Sequence, residues 1–226
     1  MGPFKRMKSR AEKKRIVCFG DSNTWGFDAS TGGRFPEGIR WTTLLQEHLG
    51  EEYQIVEEGL PGRTAVVDDP LLEGMNGSTY LQPCLMSHSP LELVIIMLGT
   101  NDAKERFGLT SYNIAQGIAK LSLKAKQLLS GHNEQNSPVL VVVPPPIGPE
   151  YAKTPIGKSM GKDCDDKTEH LAGHLTELLQ GAGIELLDSK GKVPMNRIDY
   201  MHLDEEGHEL LAKLVFNKVK TILGDG

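Results

Sequence analysis

Two short segments far apart in the sequence carry groups that could together perform nucleophilic catalysis. Ser22 follows Gly20 and Asp21 at the end of an apolar run, and a hydroxyl on a tight turn after a strand is exposed while the strand holds its backbone. Asp199 precedes His202 by three residues, a spacing that lets a carboxylate reach Nδ1 of the imidazole and leaves Nε2 free to act as a base. The combination suits attack by a serine on a carbonyl carbon.

Two further turns hold groups that could stabilise negative charge developing on a carbonyl oxygen. Asn101 follows a buried apolar run, and its side-chain amide could donate a hydrogen bond. Gly62 would let a backbone N–H come close to a ligand. Taken singly, structural explanations stay open: Ser22 could cap a helix, Asn101 could form an Asx turn, and Gly62 could be a plain turn glycine.

The elements that must position these groups follow an alternating pattern of strands and helices, which predicts a parallel, doubly wound α/β sheet. The predicted strands are 15–19, 53–57, 91–98, 139–143 and 184–187, and the predicted helices are 40–49, 111–130, 167–181 and 204–223. Ligands bind beyond the carboxyl ends of such strands, where the turns with Ser22, Gly62 and Asn101 begin. Segments 59–90 and 144–166, rich in Gly and Pro, are expected to be long loops that wall a binding site.

The four segments, in this order along the chain, resemble the four sequence blocks of the SGNH, or GDSL-like, esterase and lipase superfamily. The matching residues are Gly20-Asp21-Ser22, Gly62, Gly99-x-Asn101-Asp102 and Asp199-x-x-His202. Further stretches, Arg40-Trp41-Thr42 and Val56-Glu57-Glu58-Gly59-Leu60, resemble the short-chain arylesterase and acyltransferase branch. One departure is Asn23, where the name-giving motif has Leu. The resemblance implies an α/β fold: a flavodoxin-like three-layer sandwich with a five-stranded parallel sheet.

The resemblance also implies the role of each site residue. Ser22 would be the nucleophile, His202 the general base and then acid, and Asp199 the group that orients it, with Asp188 as a less suitable rival acid. The backbone N–H groups of Ser22 and Gly62 and the side-chain amide of Asn101 would form the oxyanion hole. The residues expected to contact the substrate are Asp21, Trp25 and Thr100. Asn23 lies beside the nucleophile and leaves this chemistry intact, but it weakens any inference about a lipid substrate.

Composition and charge limit the partners. Residues 1–15 hold seven basic groups and one acidic group, whereas the rest carries 18 basic and 29 acidic groups, a net −11, which argues against nucleic acid as a partner. We expect residues 1–14 to be a basic, flexible extension and 15–226 to be one domain. No apolar run reaches the length of a membrane span or a signal peptide, and three widely spaced cysteines fit a reducing compartment, so we expect a cytoplasmic protein that binds no membrane.

These observations predict a serine esterase that acts on small acyl or aryl esters through an acyl-enzyme, with possible acyl transfer to an alcohol or peroxide. The alternatives are a carbohydrate O-deacetylase and a non-catalytic flavodoxin-like binding module. We expect neither cofactor nor metal: His170 and His174 lie four apart but lack the glutamate of a zinc-protease motif. His202 and His208 are also not expected to bind a metal, because the catalytic role explains His202 better and His208 is expected to lie on a helix face. The branch resemblance implies a homo-oligomer.

Overall fold

Parallel strands form the centre of the protein, for which a computed structural model describes residues 12–132 and 137–224. In chain order the strands are β1 (Lys14–Gly20), β2 (Phe27–Asp28), β3 (Gly33–Arg34), β4 (Tyr53–Gly59), β5 (Leu93–Met97), β6 (Val139–Val143) and β7 (Glu185–Asp188). Five of them make one all-parallel sheet in the order β4, β1, β5, β6, β7, while β2 and β3 form a small hairpin. The predicted five-stranded parallel sheet is confirmed.

Helices cover both faces of this sheet. They are α1 (Ser22–Trp25), α2 (Trp41–Leu49), α3 (Gly77–His88), α4 (Ser111–His132), α5 (Gly157–Met160), α6 (Cys164–Glu169), α7 (Leu171–Leu178) and α8 (Glu205–Leu223), with 3₁₀ turns at Asn101–Ala103, Glu105–Phe107 and Pro149–Lys153. The helices α2 and α8 pack together on one face, and α3, α4 and α7 pack on the other. This is the expected three-layer sandwich.

The strand sequences explain why both faces are covered. Alternate side chains of a strand point to opposite faces, so Ile16 and Cys18 of β1 enter the core under α2 and α8. Val17 and Phe19 enter the core under α3 and α4. All five residues of β5 and all five of β6 are buried, as expected for strands covered on both sides. The first strand, β1, lies between β4 and β5, so the chain reverses direction of winding beside it.

The segment 59–90 differs from the expectation of an extended loop, because its second half is helix α3. Gly, Ser and Pro83 in this helix weaken the helical signal in the sequence, since proline lacks the N–H of a helix interior. Tertiary packing and an N-terminal cap outweigh this: Leu81, Cys84 and Leu85 are buried, and the side chain of Asn76 accepts a hydrogen bond from the Ser78 N–H.

Three smaller differences concern boundaries. The predicted helix 167–181 is two helices, α6 and α7, that meet at His170. The segment 144–166, expected as a loop, contains a 3₁₀ turn, α5 and the start of α6. Lys14, assigned to the basic extension, is the first residue of β1, and residues 1–11 of that extension lie outside the described residues. Among the described residues, no helix is long and apolar enough to cross a membrane.

Candidate active site

Ser22 lies at the carboxyl end of β1, as the first residue of the four-residue helix α1. The cap of this helix is Asp21 and not Ser22, because the Asp21 carboxylate accepts the Asn23 N–H at 2.9 Å. The Ser22 hydroxyl is therefore free of a capping role, and its Oγ is 2.9 Å from Nε2 of His202. Only 4% of Ser22 is exposed. The helix-cap explanation of Ser22 is wrong.

His202 and Asp199 lie on the loop that leads into α8. Oδ2 of Asp199 is 2.6 Å from Nδ1 of His202, and Oδ1 accepts the backbone N–H groups of Met201 and His202. Burial alone would raise the pKa of Asp199, but the hydrogen bond and charge of His202, with the other donors, lower it to about 2. A carboxylate that stays ionised can hold the imidazole with its proton on Nδ1 and its lone pair on Nε2.

Two asparagines fix this loop: Asn196, which no sequence motif singles out, and Asn23, which the sequence marks only as a departure from the name-giving motif. Nδ2 of Asn196 donates to Asp199 Oδ1 at 2.9 Å and to the His202 carbonyl at 2.8 Å. Asn23 clasps the backbone on both sides of the histidine: its Nδ2 donates to the Met201 carbonyl at 3.2 Å, and its Oδ1 accepts the Leu203 N–H at 2.9 Å. The residue that departs from the name-giving motif therefore ties the serine turn to the histidine loop.

Gly62 lies in a tight turn between Leu60 and Arg63, with a φ of 90° that glycine adopts without strain. This turn is tied to the serine turn, because the Gly20 carbonyl accepts hydrogen bonds from the Leu60 N–H and from the Arg63 guanidinium. Arg63 also donates to the Glu58 carbonyl and lies over the Phe19 ring. Arg63 thus orients the turn that presents Gly62.

Asn101 begins the 3₁₀ turn that follows β5 and is 4% exposed. Its Nδ2 is buried and has no hydrogen-bond partner, although a buried donor normally has one. The neighbouring Asp102 carboxylate accepts the Ala65 N–H, so this turn is joined to the segment that follows Gly62. Asn101 and Ser22 follow the carboxyl ends of the neighbouring strands β5 and β1, and a buried, unpaired amide is a suitable hydrogen-bond donor for an oxyanion.

Two buried carboxyl groups lie behind these turns. Burial raises the pKa of Asp102 to about 7, and the negative charge of Asp21 adds to that rise, whereas the Ala65 N–H opposes it. Burial also raises the pKa of Asp21 to about 6, against its hydrogen bond from Asn23 and the charges of His202, Arg63 and Lys104. Oδ2 of Asp21 has no hydrogen-bond partner. The two groups therefore stay partly protonated near neutrality.

The sequence predicts roles for four further residues: three as substrate contacts and one as a rival acid. Asp21 and Thr100 are 1% and 0% exposed, so neither side chain offers a surface to a substrate, contrary to the expectation. Trp25 is half-buried, with the Arg34 guanidinium over its ring, and its backbone packs so closely on β4 that a Cβ at Gly59 would overlap it. Asp188 ends β7 and accepts the Lys190 N–H, as a turn residue does.

The other histidines considered from the sequence, His170, His174 and His208, each contact a different partner. His170 is exposed and lies 3.5 Å from Asp166. His174 packs edge-on against Tyr112. His208 is on α8, where its helix face is fully buried, and its Nδ1 accepts the N–H of Trp41, the first residue of α2.

An aromatic ring packs against His202. The Phe27 ring lies 4.4 Å from the His202 ring, centroid to centroid. A cavity of about 420 Å³ lies between the β2–β3 hairpin and the histidine loop, and it reaches Asn196 but not Ser22. With Ser22 and His202 both about 95% buried, access to the hydroxyl is narrow.

Comparisons with known proteins show which family and which solved structures this chain resembles. The model of the GDSL-like Lipase/Acylhydrolase family matches residues 18–210. A solved aryl esterase of M. smegmatis is 35% identical with a TM-score of 0.84, covering 93% of this chain and 100% of its own. A carbohydrate acetylesterase from Sinorhizobium meliloti is 36% identical with a TM-score of 0.83, again covering 93% of this chain and 100% of its own. A search of curated proteins gives no match.

Proposed function

The chain belongs to the GDSL-like lipase and acylhydrolase family and is an ester-hydrolysing enzyme, and from this premise we propose that it cleaves esters of short acyl groups with Ser22 as nucleophile. The observation that carries the proposal is the line of contacts from Asp199 through His202 to the Ser22 hydroxyl, at 2.6 and 2.9 Å. Of the two solved relatives, one is named an aryl esterase and the other a carbohydrate acetylesterase, and the acetyl group in the second name supports a short acyl group here.

In the proposed mechanism, the Ser22 hydroxyl gives its proton to Nε2 of His202 as Oγ attacks the ester carbonyl. The imidazolium that forms keeps its Nδ1 proton directed at Asp199. The oxyanion accepts hydrogen bonds from the N–H groups of Ser22 and Gly62 and from Nδ2 of Asn101. His202 then protonates the leaving alcohol, and water attacks the acyl-enzyme with His202 again as base.

The first test is hydrolysis of p-nitrophenyl acetate, butyrate and octanoate by the wild type and by Ser22→Ala. We expect cleavage that falls with chain length, since access to Ser22 is narrow, and a mutant whose activity is indistinguishable from background. Circular dichroism spectra of the two proteins must match. Full activity in Ser22→Ala would exclude Ser22 as the nucleophile.

The two candidate functions differ in the alcohol part of the substrate ester, which is an aryl group for an arylesterase and a sugar for a carbohydrate O-deacetylase. The carbohydrate O-deacetylase is the second candidate. The comparison with the Sinorhizobium meliloti carbohydrate acetylesterase favours it as much as the aryl esterase comparison favours the first. The ratio of kcat/KM for phenyl acetate and for an acetylated xyloside separates the two. Preference for the xyloside, lost on deleting the hydroxyls next to its acetate, would assign the sugar substrate.

We also propose that the acyl-enzyme can transfer its acyl group to an alcohol or peroxide, and that the protein is a homo-oligomer in a reducing, cytoplasmic compartment. The three unpaired, buried cysteines support the compartment. Exposed Leu71 and Leu72, on the segment beside Gly62, support an interface near the site.

The acyl-transfer proposal is tested by comparing the yield of ester with the yield of acid in water with added alcohol, and pure hydrolysis would exclude transfer. Sedimentation tests the assembly.

A further inference from the structure

A cluster of three metal-ligating side chains lies outside the esterase site. Glu58 is on the edge strand β4, while Cys84 and His88 are on α3. Cys84 and His88 are four residues apart, so one turn of helix places both side chains on the same face. One carboxylate oxygen, the thiol sulfur and one imidazole nitrogen all lie within 4.8 Å of one another.

The separations are close to those of a bound ion. Zinc bonds of about 2.0 to 2.3 Å at tetrahedral angles put neighbouring ligand atoms about 3.3 to 3.8 Å apart. Oε1 of Glu58 and Nε2 of His88 are already 2.8 Å apart in a hydrogen bond, which an ion would replace. An ion would therefore need the Glu58 and His88 atoms to move apart by about 0.5 to 1 Å from their present separation.

The identity of the ligands selects the metal. Sulfur and imidazole nitrogen with one carboxylate oxygen suit zinc, whereas calcium and magnesium prefer oxygen ligands alone. We propose that Glu58, Cys84 and His88 form a zinc-binding site that joins the edge of the sheet to helix α3. Three protein ligands leave a fourth position for water.

Burial and charge favour an ion at this place. The Cys84 side chain is buried, and the negative charge of Glu58 acts on its thiol. A zinc ion would bind the thiolate and neutralise Glu58 at once. Arg63 is the one described cation that acts on the thiol, and its guanidinium is already committed to the carbonyls of Gly20 and Glu58.

The site is reachable from solvent. His88 keeps 30% of its side chain exposed and Glu58 keeps 17%. A cavity of about 500 Å³ opens beside the carboxylate, lined by Glu58, Gly59, Leu60, Arg63, Gly74, Thr79 and Tyr80. A hydrated ion can therefore meet Glu58 and His88 first and draw in the Cys84 thiolate afterwards.

The test is titration of the metal-stripped, full-length protein with Co²⁺, which takes zinc sites and reports its ligands by absorption. We expect one equivalent to bind with a thiolate-to-cobalt charge-transfer band, and Zn²⁺ to displace it. Cys84→Ala should lose the band, while Cys164→Ala, which removes another buried thiol, should keep it. His88→Gln, at a partly exposed position, should weaken Co²⁺ binding at least about tenfold.

Stability gives a second readout that does not depend on the esterase reaction. Zn²⁺ at a hundredfold excess over its wild-type Kd should raise the Tm of the wild type by about 5 °C or more, and that of His88→Gln by about half as much or less. Should Cys84→Ala fail to fold, His88→Gln and Glu58→Gln decide the matter alone. A wild type without the charge-transfer band, or a band that persists in Cys84→Ala or is equally strong in His88→Gln, would overturn the proposal.

Discussion

A substitution at Asn101 should lower the rate of catalysis with little change in the stability of the protein. Its Nδ2 has no partner in the unliganded protein, so Asn101→Ala leaves no buried group unpaired and should change the free energy of unfolding little. Removal of one oxyanion donor should lower kcat about 10²- to 10³-fold. Steady-state kinetics on p-nitrophenyl acetate and a thermal melt measure the two quantities. A loss of Tm in proportion to the loss of kcat would show a structural role instead.

Asn23 should act on catalysis through the position of His202. Asn23→Leu restores the residue of the name-giving motif but removes both hydrogen bonds to the backbone flanking the histidine. Because displacement of a catalytic group by about 1 Å can cost about 10²-fold, we expect kcat to fall about 10- to 100-fold with KM little changed. Kinetics with short acyl esters measure the effect.

A matched control for that substitution is Asn217→Leu, which makes the same change at an exposed position of α8. Its kcat should equal that of the wild type. If Asn23→Leu also kept the wild-type kcat at unchanged KM, the clasp on the histidine loop would have no catalytic importance.

At the scale of elements, one ion pair joins α2 to β4. Arg40 donates to both carboxylate oxygens of Glu57, at 2.9 and 2.8 Å, and Thr42 donates to the same group at 2.5 Å. These residues come from the two stretches that resemble the arylesterase branch, and the fold brings them together. Breaking such a largely buried pair from one side should cost about 3 kcal/mol.

A double-mutant cycle tests the pair. Arg40→Met and Glu57→Gln should each destabilise the protein, and the double variant should lose less than the sum, as urea unfolding will measure. The exposed pair of Lys213 and Glu209 on α8 is the matched control, and no measurable coupling is expected there. Additive losses at Arg40 and Glu57 would mean that the contact contributes nothing beyond its separate side chains.

The junction of α2 with α8 should respond to pH through His208. Burial lowers the pKa of His208 to about 4, with Arg40 and His202 adding to the fall and Asp204 opposing it. Its neutral Nδ1 is needed to accept the Trp41 N–H. The folded state thus binds this proton less readily than the unfolded chain, whose value is 6.5, so stability is full above pH 6.5 and falls toward pH 4.

The expected loss is about 3 kcal/mol between those two pH values. His208→Gln keeps an acceptor for the Trp41 N–H but carries no proton, so its free energy of unfolding should fall less over the same interval. Urea unfolding of both proteins at pH 7 and pH 4 gives the difference, which cancels other titrating groups. If the free energy of unfolding depended equally on pH in the two proteins, His208 would not be the source of that dependence.

At the scale of the whole molecule, the sequence predicts the parallel sheet and the position of the site, because several segments carry the same apolar pattern. The nearly continuous apolar runs of β1, β5 and β6 could only be strands covered on both faces. The carboxyl ends of parallel strands meet at one edge, so the turns with Ser22, Gly62 and Asn101 could be assigned to one place. The roles of these residues remain predictions, while their placement follows from the sheet.

What the sequence could not predict depends on contacts between distant segments. Helix α3 contains Pro83, and its stability comes from burial of Leu81 and Leu85 that no local pattern reveals. Unless this segment is known to be helical, the four-residue spacing does not show that Cys84 and His88 share a face. The proximity of Glu58 to them also depends on how the helix packs against β4. Asn196 likewise carries no motif, because its importance lies in the folded loop around it.

The contact between Ser22 and His202 joins residues 180 positions apart, so the two residues are synthesised at very different times. A ribosome releases Ser22 and the Gly62 turn long before it adds the histidine, so the growing chain holds the proposed nucleophile without its proposed base. Its serine is then an ordinary alcohol. Nascent chains stalled before Asp199 should therefore be inert toward esters.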